Sequence, residues 1–109
     1  MNRLFIGTVG SPVMLAGDLD RRHALLARVA DGGLDHLFLA DHVSFRNGRG
    51  MDGLINAATL LASHPRLSVC VGVYLLGLRH PVPVARQIAS LCQSAPGRLI
   101  FGVGVGGED

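Results

Sequence analysis

Short apolar runs alternate along the chain with longer stretches in which apolar residues recur every three or four positions. "RLFIGTV", Arg3 to Val9, is the first such run and predicts a short strand, broken by "GSP". From Asp18 to Asp31 the period is helical. Leu19, Arg22, Leu25, Leu26 and Val29 share one stripe with Arg22 as its single polar member, while Arg21 and Arg28 fall on the wet side. Asp18 is placed to cap the start, and Gly32-Gly33 to stop the helix.

"LDHLFLA", Leu34 to Ala40, predicts the second strand, and the polar loop "DHVSFRNGRGM" follows. A second helix starts at Asp52 and ends before Pro65, with Leu54, Ile55, Ala58 and Leu61 expected inward. The third strand is "LSVCVGVYLL", Leu67 to Leu76. The third helix opens near "HPVPV", since proline is tolerated in a first helical turn, where its missing N–H costs nothing. Val84, Ile88, Leu91 and Cys92 form its apolar stripe, "APGR" ends it, and "LIFGVGV", Leu99 to Val105, is the fourth strand.

The order is βαβαβαβ, an α/β protein with a parallel sheet and right-handed crossovers. The third and fourth strands are nearly continuous apolar runs, which predicts burial on both faces. Two architectures fit: an open doubly wound sheet, or part of a (β/α)8 barrel. Both bind ligands beyond the carboxyl ends of their strands. There the chain carries "VGSP", "ADHVSF", "LLGLRHP" and "GVGGED", gathering its polar, ionisable and glycine residues, while the strand centres are almost bare of charge.

Composition narrows the partners. The chain has 109 residues, 49% of them hydrophobic and only 17% charged. With a mean hydropathy of +0.39, it is oily for a free-standing small domain and suits a piece of something larger. The net charge is +2, and all ten basic residues are scattered arginines. With aromatics at 5%, neither a nucleic-acid footprint nor a base-stacking platform is present. No apolar run reaches the ~20 residues of a membrane helix, and no signal peptide is visible, so a cytoplasmic protein is expected. Cys70 and Cys92 sit among apolar residues without a CxxC pair and read as buried, reduced thiols. No metal-binding spacing occurs.

Three places could carry chemistry. "GVGVGG", Gly102 to Gly107, contains G-x-G-x-x-G, but it follows the fourth strand and no helix follows it, against the dinucleotide fingerprint. Its glycines could instead permit a tight turn, or let a flat cofactor lie close to the backbone. Asp41-His42 follows the second strand: an imidazole can donate or accept a proton, and the aspartate can orient it or bind a cofactor N–H. The alternative is a capping aspartate beside an exposed histidine. Arg79-His80 precedes Pro81, and Arg79 could hold an anion or position the helix entry through a salt bridge, the latter favoured. His23 and His64 read as surface residues, and His36 as a satisfied core histidine.

With the strand ends aligned, "FLADHVSF", "VYLLGLRHPVPVARQIASL" and "APGRLIFGVGVGGED" resemble the bacterial luciferase-like family of flavin- and deazaflavin-dependent oxidoreductases. The resemblance covers most of the chain. It implies the N-terminal half, strands 1 to 4, of a (β/α)8 TIM barrel, with residues 1–109 a partial domain truncated after strand 4. It implies FMN or the deazaflavin coenzyme F420 as cofactor, a small organic substrate, hydride transfer or monooxygenation, and a homo-oligomer in full-length form. By carry-over Asp41 and His42 face cofactor or substrate, with His42 the acid/base. Gly72 and Val73 match a non-proline cis peptide behind the flavin ring, and Gly104, Val105, Gly106, Gly107 and Glu108 line the floor beside it. An aromatic residue common four places after the histidine is replaced by Arg46, beside Phe45. The fragment alone is expected to be inactive, to bind flavin weakly or not at all, and to self-associate. The rival reading is a non-catalytic small α/β domain that binds nucleotides or completes a barrel by pairing.

Overall fold

A computed structural model describes residues 2–44 and 50–107. Its elements are β1 (Gly7–Val9), α1 (Pro12–Leu15), α2 (Leu19–Asp31), β2 (His36–Leu39), α3 (Gly53–Ser63), β3 (Ser68–Tyr74), a 3-10 turn (Leu76–Leu78), α4 (Pro81–Ser94) and β4 (Leu99–Val103). The strands form one parallel sheet in the order β1-β2-β3-β4. A doubly wound sheet reverses its strand order at a switch point. These four strands do not, so of the two architectures the sequence allows, the barrel type is the one present.

The caps follow the sequence closely. The Asp18 carboxylate accepts the Arg21 N–H at 3.0 Å to open α2, and Gly33, at φ +87°, turns the chain out of it. Asp52 opens α3 by accepting from Leu54 and Ile55 at 2.9 and 3.1 Å. His80 opens α4 through Nδ1, which accepts the Val82 N–H at 3.2 Å. Arg22, the polar intruder in the α2 stripe, donates to the carbonyls of Met14 at 2.8 Å and Ala16 at 2.8 Å. It thereby satisfies the C-terminal end of α1, a short helix the hydrophobic pattern did not predict.

The strands are shorter than the apolar runs. β1 occupies only Gly7–Val9 of Arg3–Val9, because Asp35 binds both the Arg3 guanidinium and, at 2.9 Å, the Ile6 N–H ahead of the ladder. β2 and β3 lose a residue or two at their ends, and β4 stops at Val103. Between Val71 and Tyr74 the β3–β4 register slips: Val71 faces Phe101 and Tyr74 faces Val103, so β3 carries one residue more than its partner. An extra residue of this kind re-aims the side chains around it. Tyr74 goes into the core, while Val73 stays 43% exposed.

The core lies on the side of the sheet that carries the helices. Leu37, Leu39, Val69 and Val71 point there and meet Leu26, Leu54, Ala57 and Leu60. Each buried Leu or Val contributes about 1.5–3 kcal/mol of transfer free energy. The opposite face corrects the expectation of two-sided burial. Val9, Phe38, Cys70 and Ile100 form one row across it, and Val9, Phe38 and Ile100 are 68%, 41% and 48% exposed. Two further expectations fail. Ile55 is 63% exposed rather than inward, because it sits on the outer side of α3's first turn. Cys92 is exposed and Cys70 only half-buried, since α4 offers its Val84 side to the core and Cys70 sits on the bare sheet face.

Candidate functional site

The carboxyl ends of the strands are tied together by one aspartate. Asp41 follows β2, and its side chain has no exposed surface. Oδ1 accepts the Gly53 N–H at 2.8 Å and the Arg79 Nη2 at 2.9 Å. Oδ2 accepts the Leu75 N–H at 2.8 Å and the Arg79 Nη1 at 2.7 Å. Arg79 also donates to Asp52 Oδ2 at 3.0 Å and to the Leu75 carbonyl at 3.1 Å. Its guanidinium lies 4.0 Å from the ring centre of buried Tyr74, within cation–π range.

The protonation states follow. Burial pushes the Asp41 carboxyl up, but the Arg79 bonds, the Leu75 and Gly53 N–H groups and the Arg79 charge outweigh it and hold it below the usual carboxylate range. Burial alone would lower Arg79, yet its bonds to Asp41 and Asp52 raise it. Burial likewise lifts the Tyr74 phenol, with Arg79 opposing and Asp52 and Asp41 assisting. The cluster is therefore one cation held between two carboxylates over a neutral phenol.

His42, next along the chain, is half-buried, and its backbone N–H donates to the Met51 carbonyl at 3.3 Å. With Gly10, Leu39, Met51 and Asn56 it lines a cavity of about 200 Å³ at the ends of β1 and β2. Asn56 is a buried polar residue of this cavity that the sequence did not single out, because it falls inside an otherwise apolar helix.

The remaining candidates gather at the ends of β3 and β4. The Gly72–Val73 peptide is cis. The Phe38 ring crosses Gly72 so closely that a Cβ there would lie 2.5 Å from it. Gly104 backs onto Val73 and donates its N–H to the Tyr74 carbonyl at 3.1 Å. Gly106, at φ +74°, lies against Leu75. Val105 is 96% exposed, and Gly107 is exposed with open space around it. The structure thus joins Gly72, Val73 and Gly104 into one floor, with Gly106 beside it. His42 stands apart, in a cavity whose lining has none of these residues. Glu108, Phe45 and Arg46 lie outside the described residues.

Of the other histidines, His64 takes a structural post, and His36 is not the core residue the sequence suggested. His64 Nδ1 accepts the N–H groups of Arg66 and Leu67 at 3.1 and 3.2 Å. It is half-buried rather than a plain surface residue, and burial, aided by Arg66 and Arg98, lowers its pKa. His36 is half-buried on the bare sheet face beside Gly7. Among the described residues no His/Cys/Asp/Glu group is gathered as a metal site, and no helix is long and apolar enough to cross a membrane.

Sequential parallel strands, with the ionisable and glycine residues collected beyond their carboxyl ends, define an α/β protein of the barrel class. The family model of luciferase-like monooxygenases matches residues 4–109, and the chain belongs to this family. Its fold matches the N-terminal part of the luciferase-like barrels. It is similar to the FMN-bound oxygenating constituent of 3,6-diketocamphane monooxygenase from Pseudomonas putida (TM-score 0.75, 21% identity, covering 97% of this chain and 30% of that one). It is similar also to the coenzyme F420 dependent tetrahydromethanopterin reductase of Methanopyrus kandleri (0.72, 20%, 97% and 28%). A third is the monooxygenase RslO1 of Streptomyces bottropensis (0.68, 24%, 93% and 33%). The chain spans about a third of the length of these structures. No curated protein matches it significantly in sequence.

Proposed function

We propose that this chain contributes the cofactor floor and a proton-handling histidine to a flavin- or deazaflavin-dependent oxidoreductase acting on a small organic substrate. The observation that carries the reading is the floor itself. Exposed Val73 is backed by Gly104 and flanked by Gly72, which the Phe38 ring crosses, and the apolar row of Val9, Phe38 and Ile100 continues the surface. A flat, largely apolar ring system fits such a surface. FMN and coenzyme F420 are the two candidates, since one structurally similar protein is bound to FMN and another is F420-dependent.

When bound, either cofactor supplies the hydride or electrons. The chain's own residues do the rest. Val73 and the glycines support the ring and exclude water from its rear face. His42 is the group that gives or takes a proton at the substrate. Asp41 ties its strand end to that of β3. Catalysis then rests on holding reactants in attack geometry, while the redox chemistry stays with the cofactor.

Barrels of this class often bind phosphate after strands 7 and 8, which these four strands do not supply. Because the floor is formed within these four strands, the expectation for the chain by itself narrows from weak or no binding to weak binding. Titration with FMN and with coenzyme F420, followed by fluorescence, tests the reading. Weak, saturable binding of one of them, lost in Gly104→Leu, supports it. No saturable binding of either, or binding indifferent to Gly104→Leu, refutes it. Tight stoichiometric binding would refute the view that part of the site lies elsewhere. The bare sheet face and the edges of β1 and β4, unpaired among the described residues, also favour association, which sedimentation at rising concentration measures; a strict monomer would contradict this.

A further inference from the structure

We propose that Asp41, Arg79, Asp52 and Tyr74 form a positioning clamp that sets the spacing between His42 and the Val73–Gly104 floor, and that Asp41 itself transfers no proton. The proposal rests on the reading of His42 as the proton-handling group and assigns the aspartate beside it a different task.

A carboxylate has about four acceptor positions. Asp41 fills four of them, with two backbone N–H groups and both arms of one guanidinium. Its side chain has no exposed surface through which a reactant could reach it. The excess negative charge of two carboxylates on one cation is offset at the Gly53 N–H, which opens α3 at its positive end. A group this saturated is held in one state.

The bonds join elements that would otherwise move separately. Asp41 belongs to the end of β2, Gly53 to the start of α3, and Leu75 and Arg79 to the segment after β3. From Asp41 one peptide leads to His42, whose N–H is held by the Met51 carbonyl. In the other direction Leu75 packs against Gly106, and the preceding Tyr74 carbonyl holds the Gly104 N–H. An unbroken set of contacts therefore runs from His42 to the floor through Asp41. Lysine at position 79 would bring one point charge in place of a planar fork, and could not bind both Asp41 oxygens and Asp52 in this geometry.

Nuclear magnetic resonance of the whole chain tests the clamp without any cofactor. The Gly53 and Leu75 amide signals should move together with pH in one step, below the usual carboxylate range; a step within or above that range overturns the proposal. Arg98, at the opposite end of the sheet, supplies the control, since it also makes several bonds to carbonyl groups. Arg79→Lys and Arg98→Lys should both lower stability, but only Arg79→Lys should shift the His42 ring and Gly106 amide signals. Unmoved signals in Arg79→Lys, or equal shifts in Arg98→Lys, overturn the positioning role. Rescue points the same way: Asp41→Glu should restore part of the wild-type pattern that Asp41→Ala loses. If Arg79→Lys fails to fold, the wild-type titration still decides. Failed FMN and F420 titrations beside an intact clamp would sink the oxidoreductase reading alone, and the converse result would sink the clamp alone.

Discussion

Gly104→Ala is the substitution for which the structure gives the clearest magnitude. A Cβ at this position would lie 3.0 Å from Val73 Cβ, with Val73 Cγ2 closer still. Carbon atoms pack at about 3.5–4.0 Å, so the Cβ–Cβ distance is short by roughly half an ångström. Rotating Val73 moves its methyl groups but not its Cβ. The strands must part, and the Gly104 N–H bond to the Tyr74 carbonyl, 3.1 Å long, opposes that. Overpacking of this kind costs about 1–3 kcal/mol, while replacing glycine by alanine returns about 0.4–1 kcal/mol by restricting the unfolded chain. The net loss is about 1–2 kcal/mol, and with a urea slope of about 1–3 kcal/mol per molar the midpoint should fall by roughly 0.3–2 M. Gly107→Ala is the reference, because no atom lies within 4 Å of a Cβ there, and its midpoint should hold or rise slightly. Urea unfolding followed by circular dichroism measures both. A Gly104→Ala midpoint equal to or above that of Gly107→Ala would refute the close-approach argument.

Asp41 has a lowered folded pKa, so its stabilisation is complete above the unfolded value near pH 4 and is lost as pH falls through the folded one. Thermal unfolding across this range should show a shallower acid loss in Asp41→Asn than in wild type, with a residual slope from Asp35, whose pKa is also lowered, first by the Ile6 N–H bond; parallel curves would contradict this. Arg98 donates to the carbonyls of His64, Leu67 and Leu61 at 2.6, 3.0 and 3.1 Å. Arg98→Met should cost about 2–3 kcal/mol in chemical denaturation, on the order of one or two charge-assisted bonds after water recovers part of the loss; a change under about 0.5 kcal/mol would show those bonds to be idle. Cys92 is exposed, whereas burial raises the Cys70 thiol pKa, so a disulfide reagent should modify Cys92 first. Mass spectrometry of partly modified chain would expose the error if Cys70 led.

The order of elements was legible in the sequence because periodicity and caps agree with tertiary demand. Asp18, Asp52 and Gly33 mark helix ends where local chemistry alone requires them. The expected cis peptide at Gly72–Val73 is present, but only the resemblance pointed to it, since nothing in the apolar run distinguishes that bond. Long-range partners stayed hidden. Arg79 could be placed at a strand end, yet its pairing with Asp41 spans 38 positions, and no local pattern encodes it. Arg22 stood out as the polar member of an apolar stripe and Arg98 as part of a helix stop, but the distant carbonyl groups they satisfy left no local trace. Ile55 and Cys92 fit helical stripes that the actual packing leaves outside. The apolar strands promised two buried faces, because hydrophobicity records what a surface is meant to meet and not whether its partner lies in the same four strands.

The strand order has a consequence for how the molecule is made. Each strand pairs with the one synthesised immediately before it, and each helix is laid down between the two. Among the described residues no pairing within these four strands waits for a distant segment to return. The sheet can therefore grow during translation one strand–helix unit at a time, each finished edge serving as the template for the strand leaving the ribosome next.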